Sequence, residues 1–157
     1  MAYQKLQASR ALEVIPSDTV DIPNPAMLAI SSTTTGAAAL KLIDSAGDFI
    51  NNRVKIGDII YGGTVAAKVT AVDSATQLSV SAAIPTTTAY KLYSNDAPNN
   101  GCVLYIGDVS GGVKTRVITA GGDEVTFRGF TAGSFVPVQV KRVKDAGTDS
   151  LFIIALW

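Results

Sequence analysis

The chain is 157 residues long, which suits one ordinary domain or two small ones, and 47% of it is hydrophobic, enough to build a core. Thirteen Lys and Arg balance thirteen Asp and Glu, so no net field steers it onto nucleic acid or an anionic membrane, and the charged fraction of 17% falls below the about 25% of ordinary globular chains. Histidine is absent, which removes the commonest general base and zinc ligand, and a single cysteine, Cys102, excludes an intrachain disulfide.

The opening MAYQKLQASRALEVIPSD has no apolar run of signal-peptide length, and no stretch approaches the ~20 apolar residues of a membrane span. Synthesis and folding in a cytoplasm are expected. Lys5 to Val14 is the best helical candidate, with Leu6, Leu12 and Val14 apolar and Pro16 beyond. In SDTVDIPNPAM, Pro23 and Pro25 impose extended geometry, so an edge strand around Val20 to Ile22 followed by a linker is expected. SSTTTG (31–36) reads as a polar loop or an exposed strand.

From Ala37 a compact period-two pattern begins. AALKLIDS is a strand candidate, and Val54 and Ile56 lead through a Gly57-Asp58 turn into a strand at Ile59 to Tyr61. TVAAKVTAVDSATQLSVSAAI is the clearest hairpin: Val65, Ala67, Val69 and Ala71 share one face, Lys68 and Thr70 the other, and Asp73 to Thr76 supplies turn chemistry. AYKLYSN sets Tyr90 and Leu92 against Lys91 and Tyr93. Five short strands in about sixty residues suit a small closed barrel. SNDAPNNG (94–101) is dense in turn formers and marks a boundary.

The last third is again strand. CVLYIG, VKTRVIT, DEVTFRG and SFVPVQVKRVK are separated by Gly-rich turns, and the last of them, Ser134 to Lys144, reads as one long strand with Val136, Val138 and Val140 on one face. LFIIALW is apolar at successive positions, the pattern of a strand covered on both faces by a second sheet, a neighbouring domain or another subunit.

These residues carry a resemblance. The run GCVLYIG, TAGGDEVTF, AGSFVPVQVKRV, an AGT turn and a terminal aromatic strand resembles, in that order, a module of tailed-phage virion proteins. The family includes spike-base proteins at the capsid vertices of gene-transfer agents and head-decoration proteins of marine phages. The N-terminal stretch resembles the first strand of the same module. Gly57 to Tyr93 resembles a different small barrel common in phage structural proteins.

The resemblance implies an all-β fold: an antiparallel, jelly-roll-like β-sandwich from residues 1–25 and 97–157, with an inserted small SH3-like barrel at 26–96. It implies a virion protein that binds the major capsid protein and associates with itself in a cyclic trimer or pentamer. A fibre protein is a further expected partner. The alternative is a tail- or fibre-associated adaptor for host recognition, for which Tyr61, Tyr90 and Tyr93 are the aromatic candidates.

Other chemistry finds little footing. GDVSGG and AGGDE lack the Lys-Ser/Thr ending of a phosphate loop and sit between strands, where Gly serves a turn. Asp123 and Glu124 are adjacent and point to opposite faces of a strand. The pairs Asp44/Asp48 and Asp145/Asp149 flank turns without calcium-loop spacing. No motif selects a Ser-Lys dyad, and no enzyme, metal or cofactor is expected. Lys114 and Arg116 share one face and Lys141 joins them if its strand is adjacent, giving a basic patch suited to an acidic capsid surface. Leu151, Ile153 and Trp157 are the apolar interface candidates on the final strand, expected opposite Phe152, Ile154 and Leu156.

Overall fold

Period-two alternation cut by turn residues becomes short antiparallel strands in the computed structural model, which describes residues 8–157. In chain order these are β1 (Ala11–Glu13), β2 (Leu28–Thr33), β3 (Gly36–Ala38), β4 (Lys41–Ile43), β5 (Ile59–Gly62), β6 (Val65–Ser74), β7 (Gln77–Val80) and β8 (Ala89–Tyr93). They continue as β9 (Val103–Asp108), β10 (Lys114–Thr119), β11 (Glu124–Arg128), β12 (Ser134–Phe135), β13 (Val140–Val143) and β14 (Leu151–Leu156). A single 3-10 turn, Pro25–Met27, is the helical element among the described residues; Asn24 caps it by accepting from Ala26 N at 3.0 Å. The helix expected over Lys5 to Val14 is not formed in its described part, where β1 pairs with β14 instead; Lys5 to Gln7 lie outside the described residues. The chain divides into two units, a split one made of residues up to Ile22 with Asn100–Trp157, and an inserted one, Pro23–Asn99.

The split unit is an antiparallel β-sandwich. One sheet runs β1-β14-β9-β12 and the other β11-β10-β13. Both sheets feed one core: Val14, Leu104, Ile106, Ile153 and Ala155 from the first meet Val117, Val140 and Val143 from the second. Ser134 to Lys144 is not the single strand that its alternation suggests. Its first part, β12, pairs with β9 in one sheet, and its last part, β13, pairs with β10 in the other. Pro137, lacking an N–H, stands where the chain changes sheets, and Val136 and Val140 on either side stay buried. Val20 to Ile22 is likewise not a strand, although Ile22 N donates to Lys141 O at 2.8 Å and both apolar side chains are buried.

The inserted unit is one antiparallel sheet in the order β2-β8-β5-β6-β7-β4-β3. Its two edge strands, β2 and β3, are consecutive in the chain and joined through Thr34-Thr35. The core of this unit holds Leu42, Phe49, Ile60, Ala67, Leu78, Tyr90 and Leu92. AALKLIDS is a hairpin, not one strand, with Leu40 at φ 52 in its turn. The hairpin face expected through Ala71 holds only as far as Val69: the register shifts there, parity changes, and Val72 packs on the core. Two buried carboxylates tie loops to this sheet. Asp44 accepts from Ala46 N at 2.9 Å and from the Tyr90 hydroxyl at 2.8 Å. Asp58 accepts from Lys55 N and Asn95 N, closing the Gly57-Asp58 turn.

Candidate interaction surface

The register of the β1-β14-β9-β12 sheet sorts its side chains into two faces. Ile153 and Ala155 lie level with Ile106 and Leu104 and point into the core. The alternate residues form the outer face in rows: Ala11, Leu156 and Val103; then Glu13, Ile154, Tyr105 and Phe135; then Phe152 beside Gly107. Apart from Glu13 at the β1 edge, these rows carry no charge. Phe135 is 57% exposed and Phe152 66%, while Ile154 and Leu156 are half-buried. The Tyr105 and Phe135 rings meet edge-to-face at 5.5 Å, so the patch has a defined shape. An antiparallel sheet normally shows water a polar outer face; this one shows an apolar face.

The final strand therefore has one face in the core and the other in this patch. The expected division puts Phe152, Ile154 and Leu156 on one side, and the structure places these on the outer face. Ile153 is buried, and Trp157, hydrogen-bonded through its backbone to Arg10, packs half-buried against the core. Leu151 sits at the start of the strand, 43% exposed. Val103, Tyr105 and Phe135 were not singled out from the sequence. The signal for the first two lay in VLYI, apolar at successive positions like LFIIAL.

The basic candidates are distributed differently. Lys114 and Arg116 do share the outer face of β10, while Thr115 and Val117, alternating with them, are buried. Lys114 pairs with Asp149 at 3.1 Å, and Arg116 pairs with Glu124, which also receives Lys144 at 3.1 Å. Glu124 is held below the usual carboxylate range first by Arg116 and then by Lys144. Lys141 is the extra residue of a bulge in the β10–β13 pairing, so it falls out of alternation and joins no ion pair among the described residues. The three cations are not gathered into an uncompensated patch, because acids on β11 and in the 145–149 turn meet two of them.

Lys41 Nζ lies 2.6 Å from Ser79 Oγ, but Asp73 accepts from both at 2.9 Å, and an ammonium so engaged has no lone pair to take the serine proton. Thr115 donates to Ser150 at 3.0 Å and Ser150 to Lys114 O, a chain that ends on backbone. Cys102 is buried and donates to Val140 O. Tyr61, Tyr90 and Tyr93, the aromatic candidates for a host-recognition loop, are all buried in the inserted unit. Among the described residues no group of three His, Cys, Asp or Glu could hold a metal ion, and no helix is long and apolar enough to cross a membrane. In comparisons with known proteins, no family model, no curated protein and no solved structure matches the chain, so a functional reading rests on the arrangement of these residues.

Proposed function

We propose that the chain is a structural subunit of a tailed-phage-type virion, a capsid decoration or vertex spike-base protein that binds the major capsid protein and assembles with further copies of itself into a ring of three or five. In this reading the work is adhesion, not chemistry. The observation that carries it is the apolar outer face of the β1-β14-β9-β12 sheet. Burying such a face is favourable at roughly 25 cal/mol per Å2, and a capsid or a neighbouring subunit offers a surface to bury it against. Charge at Lys114, Arg116 and Glu124 is compensated within the chain, which fits a contact whose strength comes from apolar area and not from a basic patch. The inserted unit, read as an SH3-like barrel, extends the subunit's surface for a neighbouring chain. The host-recognition alternative loses its aromatic candidates to the core, and nothing else among the described residues favours it.

Two measurements test the reading. Mass spectrometry of purified virions is expected to find the chain at tens of copies or more per particle; absence from virions sinks the proposal. In co-sedimentation with empty capsids, replacing Phe135 and Phe152 together by Ser is expected to weaken binding at least tenfold while costing only about 1 kcal/mol of stability, since both side chains are exposed and one ring contact, Phe135 on Tyr105, is lost.

A further inference from the structure

The three-stranded sheet ends on β11, and the direction of its backbone groups follows from the strand beside it. Lys114 O accepts from Asp149 N, Arg116 N donates to Thr148 Oγ1, and Arg116 O accepts from Lys144 N, so residues 114 and 116 turn their backbones away from β11. The alternate positions turn toward it: Val113 O accepts from Gly129 N, and Thr119 N donates to Asp123 O. By the same alternation Val125 and Phe127 bond to β10, opposite Val117 and Thr115. Glu124, Thr126 and Arg128 then aim their N–H and C=O groups outward, and all three residues are exposed.

Edge strands are ordinarily blunted by proline, a bulge or charged side chains, Lys above all, which repel a second copy of the same edge when they share one sign. β11 has no proline, its register against β10 is unbroken, and its two charges are of opposite sign, placed symmetrically about Thr126. We propose that β11 is a self-pairing edge, and that two copies of the chain join through it, antiparallel about a two-fold axis at Thr126. In that register Thr126 lies opposite Thr126 of the second copy, Glu124 opposite its Arg128, and Val125 opposite its Phe127.

The parity is what makes the register work. Outward-facing residues 124, 126 and 128 meet outward-facing residues, so every outward donor and acceptor is used. A slip of one residue would set outward groups against side-facing ones, and a slip of two would lose rungs and part the charges. Arg128 makes no ion pair among the described residues and lies across from Lys114, a like charge, on its own sheet. The Glu124 of a second copy is the acid that this register brings to it. Glu124 already accepts from Arg116 and Lys144 on separate oxygens, and each oxygen keeps a further lone pair. On the other face, Val125 is 37% exposed, and Phe127 packs against Phe130 at 6.2 Å at the rim of the core. The Val125–Phe127 pairs of the two-fold would extend that rim into the second copy.

This contact is independent of the virion reading, since it uses the edge of one sheet and the capsid proposal uses the face of the other. Any ring would be doubled by it, giving an even number of chains. The test uses the full chain carrying Thr126→Cys. Opposed residues in such a pair have Cα atoms about 5.5 Å apart, within disulfide range, and Cys102 is buried and does not compete. Mild oxidation is expected to give a covalent dimer at least tenfold more readily than with Thr131→Cys, exposed but off the axis. By light scattering, Arg128→Glu is expected to halve the mass of the assembly, and adding Glu124→Arg to it to restore the mass. Equal crosslinking at the two cysteines, or a mass unmoved by Arg128→Glu in protein whose Trp157 fluorescence is native, overturns the proposal.

Discussion

Asp44 is a carboxylate with 1% of its surface in water, and it stays ionised because three donors converge on it. Burial alone would raise its pKa, but the Ser32 hydroxyl, the Ala46 N–H and the Tyr90 hydroxyl together hold it below the ordinary Asp range. Tyr90 is shifted the other way: burial first, then the neighbouring Asp44, push its phenol above the ordinary value of 10. The two shifts bound the pH range of the inserted unit. A depressed Asp contributes stability that is fully present above its unfolded value of about 4 and is lost as pH falls through the folded value. A raised Tyr contributes stability that is fully present below about 10 and is lost as pH rises beyond it. Replacing Asp44 by Asn is expected to cost about 2 kcal/mol at pH 7, because a hydrogen bond to a charged group is lost from the core. The same variant should flatten the acid side of the stability profile. Urea titrations followed by tyrosine near-UV circular dichroism at pH 3.5, 5 and 7 check both; equal losses for variant and parent between pH 5 and 3.5 would refute the role of Asp44.

At the scale of elements, β14 is held between β1 and β9, and it packs tightly over Gly107 of β9. A Cβ there would stand 2.6 Å from Phe152 O and 2.9 Å from Phe152 Cβ, and Phe152 itself has φ 49. A left-handed, exposed Phe costs backbone energy, and it persists because glycine opposite leaves room for its displaced carbonyl. Gly107→Ala is therefore expected to destabilise the split unit by about 1–3 kcal/mol, read as a lower urea midpoint of Trp157 fluorescence. An unchanged midpoint would show that β14 can shift. Strand existence was legible here because VLYI and LFIIAL are short apolar runs bounded by turn residues, while runs apolar at every position do not show that Leu104, Ile106, Ile153 and Ala155 are the ones that face the core. The break within Ser134 to Lys144 was not, because Val136 and Val140 face one core from two different sheets, and period two looks the same whether or not the chain changes sheets. The shared face of Lys114 and Arg116 was legible from parity, while Asp149 and Glu124 beside them come from other segments, and local spacing does not reveal such partners. The outer apolar face was half legible: LFIIAL signalled a covered second side, but Phe135 joins it only through its pairing with Tyr105.

For the whole molecule, the decisive feature is where the chain leaves the split unit and returns to it. Ile22 N donates to Lys141 O at 2.8 Å, and Cys102 N donates to Val140 O at 3.0 Å. Two donors on the carbonyls of adjacent residues stand within about 10 Å of each other, since consecutive Cα atoms are 3.8 Å apart. The inserted unit closes its own ends as well, with Asn24 Nδ2 donating to Ala97 O at 3.2 Å. Each unit has a separate core, Leu104 and Val117 in one, Leu42 and Leu92 in the other. A fold whose insertion begins and ends at neighbouring points does not need that insertion to set its topology. Replacing residues 23–99 by a flexible linker of about four residues, which reaches roughly 13 Å, is therefore expected to leave the split unit folded. Trp157, the single tryptophan of the chain, sits in that unit and reports it directly. The excised chain should keep the parent's fluorescence maximum and unfold in one cooperative transition within about 1 kcal/mol of the parent's. A larger loss would mean that the inserted unit supports the sandwich through more than its two ends. The same excised chain separates two roles: if the apolar face of the β1-β14-β9-β12 sheet is what docks, its capsid binding should survive the excision and fail with Phe135 and Phe152 replaced by Ser.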